Sequence, residues 1–470
     1  MLLTPSSDFI RAAWTFAPAA VVACCAVLGT SARAGEPCAP AWDAAVGTPG
    51  IGGLVTEFAL FDSGSGAGAQ LYAAGQFGIA GGGGASNIAR WNGAAWSAVG
   101  GGLINNWVSD LVAHDGKLYA GGYFDSAAGA PGSAKVAFWD GTQWTGLNAQ
   151  LEAFSDSVWA LESFDDDGRG ADLYVGGNYF DIGGQGLDFI ARWDGKAFSS
   201  IGGTIAGAGI PLIVLDLEIF DPGDGPRLIA GGRFATIGGV AASHIGAWNG
   251  STWSSLGSGI TGTQVITMEV FDDGSGPALF VGGTFTAAGG VPATRIAKWD
   301  GSTWSALGDG LSGTVQGMAA YDDGSGEALY VVGNFTASGA MPLNHIARWD
   351  GRGWSAVGAG LNDNGFAAIR FDDGGGSGGE SLFVGGAFVQ AGGAAANGVA
   401  EYVGCPVSNS ADLNGDGVVN GLDLGILLAN WSIPAGAPGC GGVVPCESDL
   451  NGDGVVDGLD LGILLASWTL

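Results

Sequence analysis

A hairpin marked by tryptophan recurs along this chain at a nearly constant interval. Its first tryptophan falls at steps of 48 to 55 residues, at Trp91, Trp139, Trp193, Trp248, Trp299 and Trp349. A fixed period of this size indicates a repeat architecture, in which each unit buries its apolar face against its neighbours. Whatever the chain folds into must therefore be built from copies of one unit.

Each repeat reads as four short strands. In "ALFVGGTFTAAGGVPATRIAKWDGSTWSALGDGL", from Ala278, an apolar strand ends in Gly-Gly, and a hairpin turned at Asp-Gly follows after a loop. Another hairpin precedes the Gly-Gly strand, as in "EVFDDGSGPALFVGG". A chain with 92 glycines, 17 tryptophans and only 13% charged residues suits many short strands and tight turns. Four antiparallel strands per repeat predict one blade of a β-propeller.

These repeats resemble the kelch family, whose blade has an apolar strand ending in Gly-Gly, then an aromatic-Asp pair and a tryptophan shortly after. Repeats with "ARWDG" are also similar to those of fungal cell-polarity marker proteins. The kelch resemblance implies a propeller of the type found as the central domain of galactose oxidase. It covers residues 35–405.

The number of repeats indicates how the propeller closes. Six hairpins are complete, and a seventh begins at "VAEYVG" with Tyr402 in the tryptophan position, then stops at Cys405. Its missing arm matches "PAWDAAVG", where Trp42 corresponds to Trp354. We therefore predict a mainly β fold, a seven-bladed β-propeller closed by an N-terminal strand, which removes exposed sheet edges.

The first 34 residues read as a secretory signal peptide. Arg11 precedes the apolar run "AAWTFAPAAVVACCAVLG", and small residues flank a cleavage site near Ala34. A membrane anchor is the alternative, but Pro18 and the short run disfavour spanning. The sequence thus predicts a secreted or cell-surface protein with no membrane insertion.

Four cysteines remain after cleavage, Cys38, Cys405, Cys440 and Cys446. In an oxidising compartment they predict disulfides, with three possible pairings. Aligned on the repeat, Cys38 and Cys405 both fall at the turn of the divided hairpin, which favours that pair and leaves Cys440 to bond Cys446.

The formal net charge of −30 restricts the partners of the chain. Such a surface repels nucleic acid and anionic lipid, and it suits divalent cations and neutral ligands.

Near its end the chain carries two nearly identical stretches, "ADLNGDGVVNGLDLGILLANW" and "SDLNGDGVVDGLDLGILLASW". Each places oxygen ligands at positions 1, 3, 5, 7, 9 and 12 of a loop with glycine at position 6, the spacing of a calcium loop. We predict two Ca²⁺ ions held by Asp412, Asn414, Asp416, the Val418 carbonyl, Asn420 and Asp423, and by Asp449, Asn451, Asp453, the Val455 carbonyl, Asp457 and Asp460.

One short helix follows each loop, and no helix precedes it. Loop-then-helix, doubled, resembles the type I dockerin, which implies a small all-α domain over 412–470 after a linker at 406–411. We expect each helix to bury one apolar face against the other, with Leu424, Leu427 and Trp431 in the first copy and Leu461, Leu464 and Trp468 in the second. The resemblance implies a cohesin-like or other cell-surface protein as partner. Many dockerins carry Ser-Thr at loop positions 10 and 11, whereas this chain has Gly421 and Leu422, which puts the partner's identity in doubt.

Candidate catalytic residues are few. Glu162, Glu218 and Glu269 occupy similar positions in successive repeats, so a propeller would bring them together for acid–base chemistry on a glycan. They could also hold an ion, and the structural alternatives are an ion pair with Arg192 or Lys298 or a position facing a wet channel. Trp107 and Trp159 lie outside the repeat positions and are the candidates for stacking on sugars, with core packing as the alternative. Three histidines are too few and too scattered for the copper site of kelch-like oxidases.

These observations favour a secreted, non-catalytic binding or scaffold protein, whose propeller binds glycan or protein and whose tail docks in a calcium-dependent way. A polysaccharide-degrading hydrolase or lyase carried into an extracellular complex is the alternative. A structural protein of the cell surface is a third possibility.

Overall fold

The chain divides into residues 1–38 and a second unit from Ala39 to Leu470. The structure is a computed structural model, and it describes residues 39–43, 45–151, 156–202, 204–207, 211–373, 379–405, 421–431 and 455–468, together with Leu413, Val419, Ser448 and Leu450. The signal-peptide prediction lies outside these residues.

Seven sheets have four antiparallel strands in series, and we number them along the chain. The first to third contain Ile51–Phe61, Gln70–Ala80, Ile88–Trp91 and Trp96–Ala98; Val108–His114, Lys117–Gly122, Val136–Trp139 and Trp144–Gly146; Val158–Phe164, Asp172–Gly177, Ile190–Trp193 and Phe198–Ser199. The fourth to sixth contain Ile213–Phe220, Arg227–Arg233, Ile245–Trp248 and Trp253–Ser255; Ile260–Asp272, Pro277–Ala288, Ile296–Trp299 and Trp304–Ala306; Val315–Asp322, Glu327–Gly333, Ile346–Trp349 and Trp354–Ala356. The seventh contains Gly365–Phe371, Ser381–Gly386, Val399–Val403 and Ala41–Asp43.

Short elements complete the description. The two-residue strands are Gly83–Gly84, Leu103–Ile104, Ser126–Ala127, Ile205–Ala206, Thr236–Ile237, Val240–Ala241, Val291–Pro292, Ala337–Ser338, Met341–Pro342, Gln390–Ala391 and Ala394–Ala395. A 3-10 turn spans Ile182–Gly184, and the α-helices found in the described residues are α1, Gly421–Ala429, and α2, Gly458–Ala466.

The first strand of each sheet, which we call its inner strand, contacts the inner strands of the sheets before and after it. The series continues from the first sheet to the seventh and returns to the first. The arrangement is therefore a propeller-like ring, with the inner strands around a central channel.

The ring closes through the N-terminal strand, as the sequence predicts. Ala41–Asp43 pairs antiparallel with Val399–Val403, and Trp42 lies opposite Tyr402 with ring centroids 5.2 Å apart. This strand gives the seventh sheet its fourth member, so each of the seven sheets is complete.

Tryptophans of the repeated hairpin pack between neighbouring sheets. Trp304 donates its indole N–H to the Leu256 carbonyl 2.9 Å away, and Trp354 does the same to Leu307 at 3.0 Å. Both rings are buried. Their regular spacing in the sequence thus reflects the contacts between neighbouring sheets of the ring.

Every inner strand carries a β-bulge at the same place. The register shifts at Val55/Glu57 in the first sheet and at Val108/Asp110 in the second, and the other five sheets shift at the corresponding position. A bulge inserts one unpaired residue and bends the strand. The second strand accommodates it with glycine: a Cβ on Gly333 would lie 2.1 Å from the Thr314 carbonyl oxygen.

The predicted fold class nevertheless requires correction. The described residues form eleven separate sheets of two to five strands, and none of these sheets closes on itself. No all-α domain of two calcium loop-helix repeats is seen in the described part of the tail, which has only two nine-residue helices. The described tail has four buried apolar side chains, too few for a domain core: Leu427 and Leu464 in the helices, and Val419 and Val456 before them. Trp431 and Trp468, expected on the buried face, are exposed.

Candidate functional site

Acidic side chains converge on the channel from five of the seven inner strands. The residue directly after the bulge is Glu57, Asp110 or Asp216 in the first, second and fourth sheets. Two residues further along, the third, fourth and fifth sheets carry Glu162, Glu218 and Glu269. Because residues two apart on a strand share a face, both positions point toward the channel.

The channel contains a cavity of about 740 Å³. Five of the six carboxylates line it, and the sixth, Glu218, interacts electrostatically with Glu269, Glu162 and Asp216. The sixth and seventh sheets contribute small or apolar residues at the equivalent positions: Gly317, Ala319, Ala367 and Ile369. Arg370 also lines this cavity, within 4 Å of Glu327 and Glu380. The channel wall therefore has an acidic arc and an apolar arc.

Backbone amides fix the orientation of these carboxyl groups. Glu57, Glu162 and Glu218 each accept a hydrogen bond from the next residue's amide, at 2.7–2.9 Å. Asp110 accepts from Leu161 in the third sheet, and Asp216 accepts from Met268 in the fifth. The inner edge of each sheet has no partner strand, so the aspartates satisfy amides that face the channel.

Burial raises the pKa of all six carboxyl groups. It raises the pKa of Asp110, Glu162 and Glu269 to about 7, and neighbouring carboxylates add to the effect at Asp110. The pKa values of Glu57, Asp216 and Glu218 lie well above the ordinary range, because of burial and then of the adjacent acids. Near neutral pH the arc therefore retains protons and offers both hydrogen-bond donors and acceptors.

Aromatic residues line the other end of the channel. Trp107 stacks on Tyr123 with centroids 4.9 Å apart, and the Trp159 ring lies 6.0 Å from Trp107. Trp107 and Trp159 line a cavity of about 340 Å³, which shares Glu57, Asp110 and Asp216 with the larger one. Both tryptophans are half-buried. A ligand on these rings would thus reach the acidic arc.

Three of the six carboxyl groups in the acidic arc were candidates from the sequence. Its candidates Glu162, Glu218 and Glu269 lie on adjacent sheets in the acidic arc, away from Arg192, which pairs with Asp166 and Asp172. Glu57, Asp110 and Asp216 were missed. Each follows a valine by two residues at the start of an inner strand, a signal that has meaning only once the bulge is known.

The histidines and metal ligands give little further chemistry. His114 Nδ1 lies 2.8 Å from Ser163 Oγ, and burial lowers the pKa of the imidazole. Within the described ranges, no three His, Cys, Asp or Glu side chains are grouped so that they could hold a metal ion. The carboxylates of the arc therefore do not form a ready cation site.

Most of the predicted calcium ligands lie outside the described residues: Asp412, Asn414, Asp416, Val418, Asn420, Asp449, Asn451 and Asp453. Asp423 and Asp460 are described and fully buried, and their Oδ1 atoms accept the Leu413 and Leu450 amides at 2.8 and 2.7 Å. Val455 and Asp457 precede α2, and Asp457 caps it. Calcium binding stays a prediction.

The disulfide predictions are only partly within the described residues. Cys405 follows the third strand of the seventh sheet and is disulfide-bonded. Cys38, Cys440 and Cys446 lie outside the described residues, so both predicted pairings stay predictions.

Comparisons with known proteins assign no family. No family model matches the chain, and no curated protein matches it. It is similar to two crystal structures of BBS1N in complex with ARL6DN, at 9% and 10% identity and TM-scores of 0.42 and 0.43, covering 78% and 79% of this chain and 96% and 99% of those chains. It is also similar to the extracellular domain of the putative one component system BT4673 from B. thetaiotaomicron, at 10% identity and a TM-score of 0.27, covering 71% of this chain and 56% of that one.

Likenesses this distant carry no inference about activity or partners. The assignment to kelch-type repeats with a type I dockerin is wrong, because no family model supports it and the described tail contains only two short helices. No helix in the described ranges is long and apolar enough to cross a membrane.

Proposed function

We propose that this chain is a secreted, non-catalytic binding protein that takes a neutral glycan into the aromatic end of its channel. One observation carries the proposal: Trp107, Tyr123 and Trp159 form an aromatic cluster beside the acidic arc. Sugar rings present apolar faces to aromatic side chains, while their hydroxyls need hydrogen-bonding groups nearby. Protonated and ionised carboxyl groups supply donors and acceptors in the same cavity.

The charge of the site favours a neutral ligand over an acidic one. Three carboxyl groups, Glu57, Asp110 and Asp216, line the cavity at the aromatic end, and the whole chain has a net charge of −30. An anionic glycan entering here would be repelled more strongly as the carboxyl groups ionise.

A glycan-binding assay on the full-length chain tests the proposal. Isothermal titration against neutral oligosaccharides should give a saturable signal that falls at least tenfold in Trp107→Ala and Trp159→Ala. Phe180→Ala is the matched control, because Phe180 is an exposed aromatic residue that does not line the channel. Unchanged affinity in both tryptophan variants would overturn the proposal.

Glycoside hydrolysis is the second candidate, since carboxyl groups converge in a cleft with aromatic residues at one end. Such enzymes need one carboxyl group kept protonated and another ionised. Here burial raises all six pKa values, so none of these carboxyl groups keeps an ordinary or lowered pKa that would hold it ionised as the second partner. Binding is therefore the better-supported function. Release of reducing sugar by the wild type, lost in Glu162→Gln, would reverse this order.

Export, the two Ca²⁺ ions and a cell-surface partner for the tail belong to the proposal as well. A pull-down with the full-length chain in calcium and in chelator tests the partner. Recovery of the same protein in both conditions would exclude calcium-dependent docking.

A further inference from the structure

At six of the seven contacts between neighbouring sheets, the turn after the inner strand covers the tryptophan hairpin of the next sheet. The Asp166 carbonyl in the third sheet lies 2.5 Å from the Cβ position of Gly250 in the fourth, and Asp273 approaches Gly351 at 2.2 Å. Four more equivalent glycines lie close to the preceding sheet in the same way: Gly93, Gly141, Gly301 and Gly404. Gly195 in the third sheet is the exception, because nothing in the described chain beyond its immediate neighbours lies within 4 Å of its Cβ position.

The second sheet leaves this hairpin uncovered because its own turn is the shortest in the ring. Only Asp115 and Gly116 separate its inner strand from its second strand, whereas residues 165–171 do so in the third sheet. Trp193 is consequently only half-buried. The six aromatic residues at the equivalent positions are at most 8% exposed: Trp91, Trp139, Trp248, Trp299, Trp349 and Tyr402.

The space left open is a cavity of about 440 Å³. Trp193, Tyr119 and Phe138 line it with their rings, and the imidazole of His114 and several carboxylates complete the wall. The cavity shares no lining residue with the two cavities of the channel. Aromatic walls with a few convergent polar groups, in a cavity of this size, are typical of sites for small ligands.

One buried donor in this wall has no acceptor. Tyr119 is only 3% exposed, and its hydroxyl accepts a hydrogen bond from the Trp193 indole, but no residue in the described part of the chain accepts its proton. The equivalent Tyr330 in the sixth sheet donates to Asp323 in its own turn, at 2.8 Å. The short turn of the second sheet offers only Asp115, whose side chain is 79% exposed. Because buried donors are nearly always paired, the site lacks one acceptor oxygen that a ligand can supply.

The carboxylates in the wall provide complementary acceptors. Asp194 uses Oδ1 for the amides of its own turn, and Asp172 uses Oδ2 for Arg192. Their other oxygens have no hydrogen-bond partner among the described residues, and they would repel an acidic ligand. A cationic ligand is also disfavoured, because Lys117 Nζ already lies 5.3 Å from the centroid of the Phe138 ring. The wall therefore suits a neutral ligand that has both hydroxyl groups and an apolar face.

We propose that this cavity binds one ring of a neutral sugar, as a glycan site separate from the channel. The apolar face of the sugar lies against Trp193 and Phe138. One sugar hydroxyl accepts from Tyr119, and others donate to the free oxygens of Asp172 and Asp194. The site uses no residue of the channel, so it is independent of the function proposed there. A polysaccharide that occupies both sites binds more tightly than a single sugar, because the second contact is then intramolecular.

The indole N–H resonance of Trp193 in the full-length chain reports on this site. Titration with the methyl glycosides of glucose, galactose, mannose and xylose should move it in a saturable way for at least one sugar. The resonance of Trp248, the covered equivalent in the fourth sheet, should stay in place, and Trp193→Phe assigns the signal. The proposal is overturned if none of the four glycosides moves the Trp193 resonance. A shift of equal size with tetramethylammonium would indicate a cation site and would overturn it as well.

A pair of matched variants tests the unpaired donor. Tyr119→Phe removes only the hydroxyl and should raise the Kd for the glycoside roughly threefold or more. Tyr72→Phe is the control, because Tyr72 is the equivalent buried residue of the first sheet and does not line this cavity. Equal affinity in the two variants would contradict the proposed contact.

Two further variants separate this site from the channel. Replacing residues 115–116 with a copy of residues 165–171 covers the hairpin and should abolish the shift of Trp193. Trp107→Ala, in the channel, should leave the Trp193 titration unchanged. If the longer turn leaves the titration intact, or if Trp107→Ala abolishes it, the sugar binds elsewhere and the inference fails, whatever the outcome for the channel.

Discussion

The acidic and apolar arcs of the channel wall share one backbone and differ in their side chains. All seven inner strands have the bulge at the same position, but five carry acids after it, whereas the sixth and seventh carry Gly317, Ala319, Ala367 and Ile369. The bulge and the glycine opposite it thus serve the architecture in every sheet. The arcs differ at the residue directly after the bulge and at the residue two further along. These two positions therefore determine what the channel binds.

The largest expected effect on stability comes from disturbing the β-bulge and the glycine opposite it, which both arcs share. Gly333→Ala would place a Cβ 2.1 Å from the Thr314 carbonyl, so it should lower the free energy of unfolding by about 3 kcal/mol. Gly353→Ala is the control, because no atom lies within 4 Å of its Cβ position. Urea denaturation measures both. Equal stability of the two variants would show that the close approach at the bulge does not constrain the sheet.

The next test extends the acidic arc into the apolar one. Ala319 is buried in the sixth sheet at the position equivalent to Glu162. Ala319→Glu should destabilise the protein by about 2 kcal/mol at pH 8, where a further carboxylate must ionise among acids, and by less at pH 5. Ala319→Gln has the same size without the charge. If both variants lose the same stability at both pH values, size rather than charge separates the arcs.

A smaller effect is expected from removing one acid. The folded pKa of Glu269 is raised to about 7, so its stabilising contribution is complete below the unfolded pKa and is lost as the pH rises through about 7. Between pH 5 and pH 6, the free energy of unfolding of Glu269→Gln should therefore fall by about 1 kcal/mol less than that of the wild type.

The control for this pH dependence is Asp140→Asn. Hydrogen bonds within its turn lower the pKa of Asp140 to about 2, so its carboxyl group does not titrate in this range. Urea denaturation at the two pH values should give the same pH slope for this variant and the wild type. If the stability of Glu269→Gln falls with pH as steeply as that of the wild type and Asp140→Asn, Glu269 does not hold a proton in the folded protein.

The smallest effect concerns calcium. Chelation should reduce the circular dichroism of α1 and α2 without moving the indole N–H resonances of Trp107 and Trp159 in the channel, because no described group of acids is placed to hold a metal ion. A shift of these channel resonances that calcium reverses would mean that the acidic arc binds the ion. Indifference of both signals would count against the predicted calcium loops.

Sequence reasoning was accurate where the repeat fixes the geometry. The period of the tryptophans located the hairpins, and the truncated last repeat identified Trp42 as the partner of Tyr402. It failed where the result depends on three-dimensional detail. Asp110 and Asp216 could not be distinguished from turn acids, because a bulge changes which residues face the channel without leaving a distinctive residue type. In the tail, helical spacing placed Trp431 on the apolar face, but burial stops at Leu427.

The strand that completes the seventh sheet has a consequence for the order of folding. Ala41–Asp43 is made early in synthesis, yet its partner Val399–Val403 is made more than three hundred residues later. The circle can therefore be sealed only after residue 403 has left the ribosome, and such long-range pairing is slow. A circular permutant that carries residues 41–43 directly after residue 403 would turn this last, distant step into a local hairpin.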